Sequence, residues 1–151
     1  MYEIERKFLV DSEKWKPIGN GRKIKQGYLS VDPERTVRIR IVEEEAYLTI
    51  KGKSKGIKRM EFEYKIQINE AKELMKMCLD FPIEKTRFLE EQNGIVWEID
   101  VFEEKNKGLL LAEVELETED QQVDLPIWIK KEVSEDIRYF NSWLSKNPFS
   151  E

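Results

Sequence analysis

Charged side chains alternate with apolar ones along six stretches of the sequence. The first stretch, MYEIERKFLV, places Glu3, Glu5 and Lys7 in alternation with Ile4 and Phe8. Because successive side chains of a β-strand point to opposite faces of the sheet, the three charges share one face and the apolar residues share the other. A single strand of this kind is typical of a half-buried sheet with a solvated polar face.

The five later stretches carry rows of charge that are largely sorted by sign. These rows are Arg38 and Arg40; Glu61, Glu63 and Lys65; Lys85 and Arg87; Glu98 and Asp100; and Glu113 and Glu115. Like charges that are adjacent on one face of a sheet repel each other, so the pure rows need a compensating group between them. A polyanion together with metal ions would compensate rows of both signs.

Two architectures agree with the alternation: an open sheet with its charges in solvent, and a closed barrel with its charges inside. Short turn-like segments such as VDPE, EEEA and QNG favour antiparallel hairpins. Eight strands can close into a barrel that holds a small ligand, although its charged interior must then be wet and internally paired. The predicted strands are residues 2–10, 22–31, 35–43, 46–51, 58–68, 84–91, 95–103 and 109–117.

Two helices are predicted outside the strands. Residues 69–80 begin with Asn69 as an N-cap, carry apolar residues at helical spacing and end before Pro82. A C-terminal helix begins at the capping residue Ser134 and ends before Pro148. Between them, the segment PIWIKKEV is expected to hold a short helical turn.

Length and composition restrict the class of protein. The 151 residues suit one domain, which we expect to span 1–151, and a net charge of −5 argues against general nucleic-acid binding. The absence of histidine excludes histidine phosphotransfer, Ser/His/Asp hydrolysis and histidine-ligated zinc. A single cysteine, Cys78, and the lack of a long apolar run or export signal predict a cytoplasmic protein without a membrane partner.

Motifs in order along nearly the whole chain resemble the CYTH superfamily, the triphosphate tunnel metalloenzymes. They are E-x-E-x-K at 3–7, QGYL at 26–29, RIR at 38–40, LTIKG at 48–52, EFEY at 61–64, EKTR at 84–87, WEIDVF at 97–102, AEVEL at 112–116 and EVSEDIRYFNSWL at 132–144. The resemblance implies an α+β fold, in which an eight-stranded antiparallel closed β-barrel with flanking helices forms a triphosphate tunnel. Two departures are visible, because Lys130 and Ser134 stand where related sequences often have glycine and threonine in W-x-G-x-E-V-T.

The resemblance also implies the roles of the charged rows. Carboxylate oxygens suit Mg²⁺ or Mn²⁺. A first metal is assigned to Glu3, Glu5 and Glu115, and a second metal or the orientation of water to Glu61, Glu63, Asp100 and Glu113. Glu98 is interpreted as the partner of a nearby cation and is left out of both sets.

A phosphate clamp is assigned to the basic residues, because guanidinium forks match phosphoryl oxygens and Lys supplies a point charge. Its members are Arg38, Arg40, Lys51, Lys85 and Arg87. The candidate catalytic residues are Lys7, Tyr28, Glu63 and Lys85, with packing as the alternative for Tyr28 and ion pairing as the alternative for Glu63.

The resulting hypothesis is a metal-dependent hydrolase that releases terminal phosphate from inorganic tripolyphosphate, a small molecule, as a monomer or homodimer. The alternatives are a thiamine triphosphatase, a class IV-type adenylate cyclase, and a non-catalytic module that binds polyphosphate or nucleotide. In the basic run KGKSKGIKR at 51–59, Lys53, Lys55 and Lys58 are interpreted as a solvated hairpin, because the run lacks the interleaved aromatic residues of a nucleic-acid site.

Overall fold

Strands dominate the computed structural model, which describes residues 1–150. The strands are β1 (Tyr2–Val10), β2 (Arg22–Ser30), β3 (Arg35–Val42), β4 (Glu45–Gly52), β5 (Lys58–Ile66), β6 (Leu79–Gln92), β7 (Ile95–Phe102), β8 (Leu110–Glu115) and β9 (Ile129–Glu132). The α-helices are α1 (Ile68–Lys76) and α2 (Asn141–Leu144), and 3-10 turns lie at Glu104–Asn106 and Ile137–Tyr139. None of the helices within residues 1–150 has both the length and the apolar character needed to cross a membrane.

Eight strands form a closed antiparallel barrel. Their order is β5-β4-β3-β2-β6-β7-β8-β1, and the pairing of β1 with β5, with Tyr2 opposite Met60, closes the ring. The prediction of an eight-stranded closed barrel with flanking helices is therefore confirmed. Closure removes the sheet edges and turns the charged strand faces toward a common interior.

The ninth strand corrects one prediction. The segment expected to hold a helical turn contains β9, which pairs with the end of β1 through Phe8 opposite Glu132 and Val10 opposite Ile129. This end of β1 extends past the residues that pair with β5, so its edge is free for another strand. The Arg6 guanidinium then holds Glu132 with two hydrogen bonds, of 3.0 and 2.8 Å.

Helix α1 is shorter than predicted. It begins at Ile68, with Gln67 rather than Asn69 in the N-cap position, and ends at Lys76. Residues from Leu79 onward instead belong to β6, because their backbone pairs with β2. Pro82 lies inside β6, where the β2–β6 register shifts and a missing N–H is tolerated.

The C-terminal segment does not form one helix from Ser134. The Ser134 hydroxyl accepts a hydrogen bond of 2.9 Å from the backbone N–H of Lys7, so it anchors the segment to β1 instead of capping a helix. The extended backbone of Phe140 then separates the 3-10 turn from α2. This break directs the residues around Phe140 toward the barrel.

Apolar residues close one end of the barrel. Phe102 and Leu111 share strand faces with Asp100 and Glu113, respectively, and they pack with residues of the C-terminal segment. We call this cluster the apolar floor; its buried members are Ile83, Phe102, Leu109, Leu111, Val133 and Leu144. The inward row of β1 runs from Glu3 at the open end to Leu9, which packs against the floor.

Candidate active site

The barrel interior is a tunnel lined mainly by charged and polar side chains. Its cationic lining residues are Lys7, Arg38, Arg40, Lys51, Arg59 and Lys85, and its acidic ones are Glu3, Glu5 and Glu113. The lining therefore carries more positive than negative charge. A polyanion is the class of ligand that this surplus favours.

Two arginines of β3 form the cationic side of the tunnel. Arg38 is buried, donates to the Thr49 hydroxyl at 3.2 Å and lies 3.6 Å from a carboxylate oxygen of Glu63. Within residues 1–150, the buried Nε of Arg38 has no hydrogen-bond partner. Burial, and then repulsion by Arg38 and Arg87, lower the pKa of Arg40 to about 10. Both guanidinium groups thus lack full compensation from the protein, as expected of an anion site.

Lys85 lies at the inner end of the tunnel, with only 1% of its surface exposed. Its Nζ is 2.7 Å from Asp100 Oδ2 and donates to Asn141 Oδ1 at 3.0 Å. Burial lowers the pKa of Lys85 to about 8, although the charge of Asp100 opposes that shift. The ammonium group is therefore held by two acceptors while its side chain still lines the cavity.

Asp100 and Arg87 mainly satisfy each other. Arg87 donates to the two carboxylate oxygens of Asp100 at 2.8 and 2.9 Å, and to Glu98 at 2.9 Å. Burial alone would raise the pKa of Asp100, but the ion pairs with Arg87 and Lys85 lower it. Neither residue belongs to the cavity lining. The predicted metal ligand Asp100 and the predicted clamp residue Arg87 are thus placed behind the tunnel surface as each other's counter-ions.

Three carboxylates meet on the opposite side of the tunnel. One oxygen each from Glu5, Glu98 and Glu113 lies within 4.8 Å of the other two, and we call these residues the carboxylate cluster. Burial, and then the charges of Glu113 and Glu3, raise the pKa of Glu5 well above its usual range. Burial also favours the protonated form of Glu113, but Lys7 at 3.7 Å and Arg87 lower the pKa of Glu113 to about 2. The repulsion around Glu5 is what a bound divalent cation would relieve, so the cluster fits such an ion.

Glu98 has two roles in the structure. Its contact with Arg87 agrees with its interpretation as an ion-pair partner, but it also belongs to the carboxylate cluster. The antiparallel register of β7 and β8 sets Glu98 directly opposite Glu113. The sequence contained a signal for this meeting, because two acidic rows lie on either side of one short connection. The missing information was the register across residues 103–109.

Glu115 departs from its predicted place. It is exposed and does not line the cavity, although it pairs in register with Glu5. Glu115 is the last residue of β8, so its side chain emerges into solvent at the end of the strand. Glu63 is also exposed, where it accepts from Thr49 at 3.0 Å, and it lies outside the carboxylate cluster.

Lys51 is enclosed by acidic residues near the open end of the tunnel. Its Nζ is 3.0 Å from Glu3 and 3.4 Å from Glu61. Burial favours protonation of both carboxyl groups, but the charge of Lys51 lowers the pKa of Glu3, whereas burial and Glu3 raise the pKa of Glu61. The structure therefore brings Lys51, a predicted clamp residue, together with two predicted metal ligands.

Several other polar residues reach the site without having been predicted, among them Arg59, Gln26 and Asn141. Arg59 lines the cavity and shares a strand face with Glu61, so alternation along β5 contained a signal for it. Gln26 shares a face with Tyr28, which is buried and lines the cavity as the sequence analysis allowed. Asn141 comes from the C-terminal segment, and no local pattern indicated that it would enter a barrel.

Comparison with known proteins gives consistent matches over almost the full chain. A family model describing the CYTH domain matches residues 1–142. The chain is 43% identical over 148 residues to an inorganic triphosphatase of Acetivibrio thermocellus, covering 97% of this chain and 95% of that protein. It is 35% identical over 152 residues to an inorganic triphosphatase of Nitrosomonas europaea, covering 96% of this chain and 97% of that protein. The crystal structure of the inorganic triphosphatase NE1496 aligns with a TM-score of 0.67 at 35% identity, covering 95% of this chain and 97% of that one.

Proposed function

The chain belongs to the CYTH domain family, and from this premise we propose that it is a divalent-metal-dependent inorganic triphosphatase that releases terminal phosphate from tripolyphosphate. The observation that carries the proposal is the meeting of two uncompensated groups in one tunnel. The buried Nε of Arg38 lacks a partner within residues 1–150, and Glu5 in the carboxylate cluster is buried beside the charges of Glu113 and Glu3. A metal–triphosphate complex supplies both missing charges.

The cationic side of the tunnel binds the phosphate chain. Arg38 and Arg40 present guanidinium donors from one strand face, and Lys7 and Lys85 add ammonium groups deeper in the tunnel. Hydrogen bonds between such groups and phosphate oxygens are charge-assisted and stronger than neutral ones. The same groups stabilise the charge that spreads over the transferring phosphoryl group, since they are already oriented before the reaction.

The carboxylate cluster holds the metal. Glu5, Glu98 and Glu113 offer hard oxygen ligands, and we propose Mg²⁺ or Mn²⁺ as the ion. When bound, such an ion polarises phosphoryl oxygens and promotes ionisation of water. Lys7 and Arg87 lower the pKa of Glu113, which favours its carboxylate form, whereas the raised pKa of Glu5 means that a metal ion competes there with a proton.

The activity of the relatives supports bare triphosphate as the substrate, and the closed end of the tunnel restricts where an organic group could lie. The apolar floor blocks the end beyond Lys85, so any organic group on a triphosphate has to project from the open end beside residues 53–59. We further propose that the protein acts in the cytoplasm on this small molecule, as a monomer or homodimer and without nucleic acid. The single cysteine and the net charge of −5 support these points.

The decisive experiment is phosphate release from tripolyphosphate, ATP, thiamine triphosphate and pyrophosphate, each with Mg²⁺, Mn²⁺ or a chelator. We expect fastest release from tripolyphosphate and no release in chelator. Cyclic AMP formed from ATP would favour a cyclase. Tight binding of tripolyphosphate without any release would favour a non-catalytic module.

A further inference from the structure

The side-chain amide of Asn141 connects the C-terminal segment to the cationic side of the tunnel. Its Oδ1 accepts hydrogen bonds from Lys85 Nζ at 3.0 Å and from Gln26 Nε2 at 3.1 Å. Asn141 is the first residue of α2 and lines the cavity. One oxygen of the C-terminal segment thus holds a residue of β6 and a residue of β2 at the same time.

Gln26 extends this connection to Arg40. Gln26 is fully buried, and its Oε1 accepts from Arg40 Nε at 2.9 Å while its Nε2 donates to Asn141. An amide that is bonded at both ends has a fixed orientation, because turning it over would put the N–H groups against the Arg40 guanidinium. Asn141 and Arg40 therefore fix the orientation of Gln26 together, one from each end of its amide.

The positions of these cations require such support. Repulsion from Arg38 and Arg87 acts on Arg40, and Lys85 Nζ lies 2.7 Å from Asp100, which is outside the cavity lining. The Asn141 oxygen gives Lys85 a second acceptor on the side of the C-terminal segment. Lys7 has a similar arrangement, since its Nζ donates to the backbone oxygen of Tyr139 at 3.1 Å.

We propose that Asn141 is a positioning residue of the phosphate clamp, which orients Lys85 directly and Arg40 through Gln26. This proposal rests on the proposed function, because it assigns the two cations to a triphosphate ligand. The C-terminal segment then has two separate tasks. Leu144 seals the apolar floor, whereas Asn141 sets the geometry of the cations above it.

The test compares Asn141→Ala with the wild type in calorimetric binding of tripolyphosphate and in kcat and KM for its hydrolysis with Mg²⁺. The variant loses the hydrogen bond from Lys85 to Asn141, and Gln26 no longer holds Arg40 in place. We therefore expect weaker binding and a kcat/KM lower by about tenfold or more. Asn147→Ala is the matched control, because Asn147 is exposed, bonds only locally to the Trp143 backbone and does not line the tunnel. It should behave as the wild type.

A double-mutant cycle separates positioning from a general structural effect. Gln26→Ala and the double variant Gln26→Ala/Asn141→Ala are measured in the same assays, and removing Asn141 should cost at least about threefold less when Gln26 is already absent. Two effects that simply multiply would overturn the relay to Arg40. If Asn141→Ala does not fold, Asn141→Ser, which keeps a small acceptor, replaces it in the cycle.

The outcomes also distinguish this proposal from the proposed function. A wild type that hydrolyses tripolyphosphate, with an Asn141→Ala variant that binds and turns over equally well, overturns the role of Asn141 and leaves the function intact. A wild type that neither binds nor hydrolyses tripolyphosphate overturns the function first. If the free Asn141→Ala variant melts at a lower temperature and partial unfolding accounts for its whole loss of binding, that result also counts against positioning.

Discussion

Charged residues in the tunnel lining and directly behind it differ in whether the fold supplies their counter-charge. Asp100 compensates both Lys85 and Arg87 at distances of 2.7–2.9 Å. Arg38 Nε has no partner within residues 1–150, and Glu5 faces other carboxylates. A buried charge without compensation is costly, so these uncompensated groups mark where a ligand contributes most.

Replacing Glu5 should separate stability from activity. Burial and the charges of Glu113 and Glu3 raise the folded-state pKa of Glu5 above its ordinary value of 4.5. At pH values between the ordinary and the raised pKa, the folded state binds more protons than the unfolded state. The contribution of Glu5 to stability therefore falls as pH rises through this range. In metal-free protein, Glu5→Gln should melt higher than the wild type at pH about 7 and equally at pH about 4. With Mg²⁺ it should lose hydrolysis.

The control for this experiment is Glu115→Gln. Glu115 lies opposite Glu5 in the β1–β8 register but is exposed, so its replacement should leave melting and hydrolysis near wild-type values. Melting curves at both pH values and a phosphate-release assay provide the measurements. Normal turnover by Glu5→Gln would exclude Glu5 as a metal ligand.

Replacing Arg40 should have its main effect on the liganded protein. In the free protein, Arg40→Ala relieves repulsion with Arg38 and Arg87 but leaves the buried Gln26 oxygen without its donor, which costs about 1–3 kcal/mol. These opposed effects should leave the free melting temperature little changed. Tripolyphosphate stabilises the native wild type by about 2.7 kcal/mol at a hundredfold excess over its dissociation constant, and the variant should gain much less. Equal gains in thermal melting would remove Arg40 from the phosphate site.

At the level of elements, the close approach of α1 to β2 depends on one glycine. A Cβ at Gly27 would lie 2.8 Å from Cys78 Sγ, 2.9 Å from Cys78 Cβ and 3.0 Å from Met75 Sδ. Gly27 lies between Gln26 and Tyr28, which face the tunnel. Packing of α1 outside the barrel is thereby connected to the position of site residues inside it.

We expect Gly27→Ala to destabilise the protein by about 1–3 kcal/mol, because the added methyl group overpacks the α1–β2 contact. Gly52→Ala is the control, since the nearest atom to its added Cβ is Met60 Cβ at an ordinary 3.5 Å. Chemical denaturation of both variants measures the difference. If Gly27→Ala is as stable as Gly52→Ala, α1 moves away from the barrel more easily than this packing indicates.

At the scale of the whole molecule, a basic connection marks the open end of the tunnel. Ser54, Gly56 and Ile57 of the β4–β5 connection line the cavity, and Lys53 and Lys55 beside them are exposed. Because the net charge of −5 repels a polyanion at a distance, we expect the positive charge of Lys53 and Lys55 to guide the ligand to the entrance.

Reversing both charges, in Lys53→Glu/Lys55→Glu, should lower kcat/KM for tripolyphosphate at low salt by about tenfold and weaken its dependence on ionic strength. The control Lys72→Glu/Lys107→Glu makes the same change of net charge at exposed positions away from the tunnel. It should have a much smaller effect. Equal losses of kcat/KM in the two double variants would mean that the net charge of the protein, and not the charge at the tunnel entrance, controls how fast tripolyphosphate reaches the site.

Which side chains share a strand face could be predicted from residue order alone, because alternation is a local property of an extended backbone. This alternation predicted the inward row of Glu3, Glu5 and Lys7 and the inward pair Arg38 and Arg40. The family motifs indicated the closed barrel. One domain over 1–151 stays a prediction. Local pattern also supported the existence of α1, though not its limits.

Which rows meet across the barrel could not be predicted in this way and is visible in the folded chain. Glu98, rather than Glu115, joins Glu5 because register and strand length place one carboxylate inside and the other at a strand end. β9 forms on the free edge of β1, and Asn141 enters the tunnel because the C-terminal segment docks there. These outcomes depend on contacts between residues far apart in the chain, and closure of the barrel is what brings those residues together.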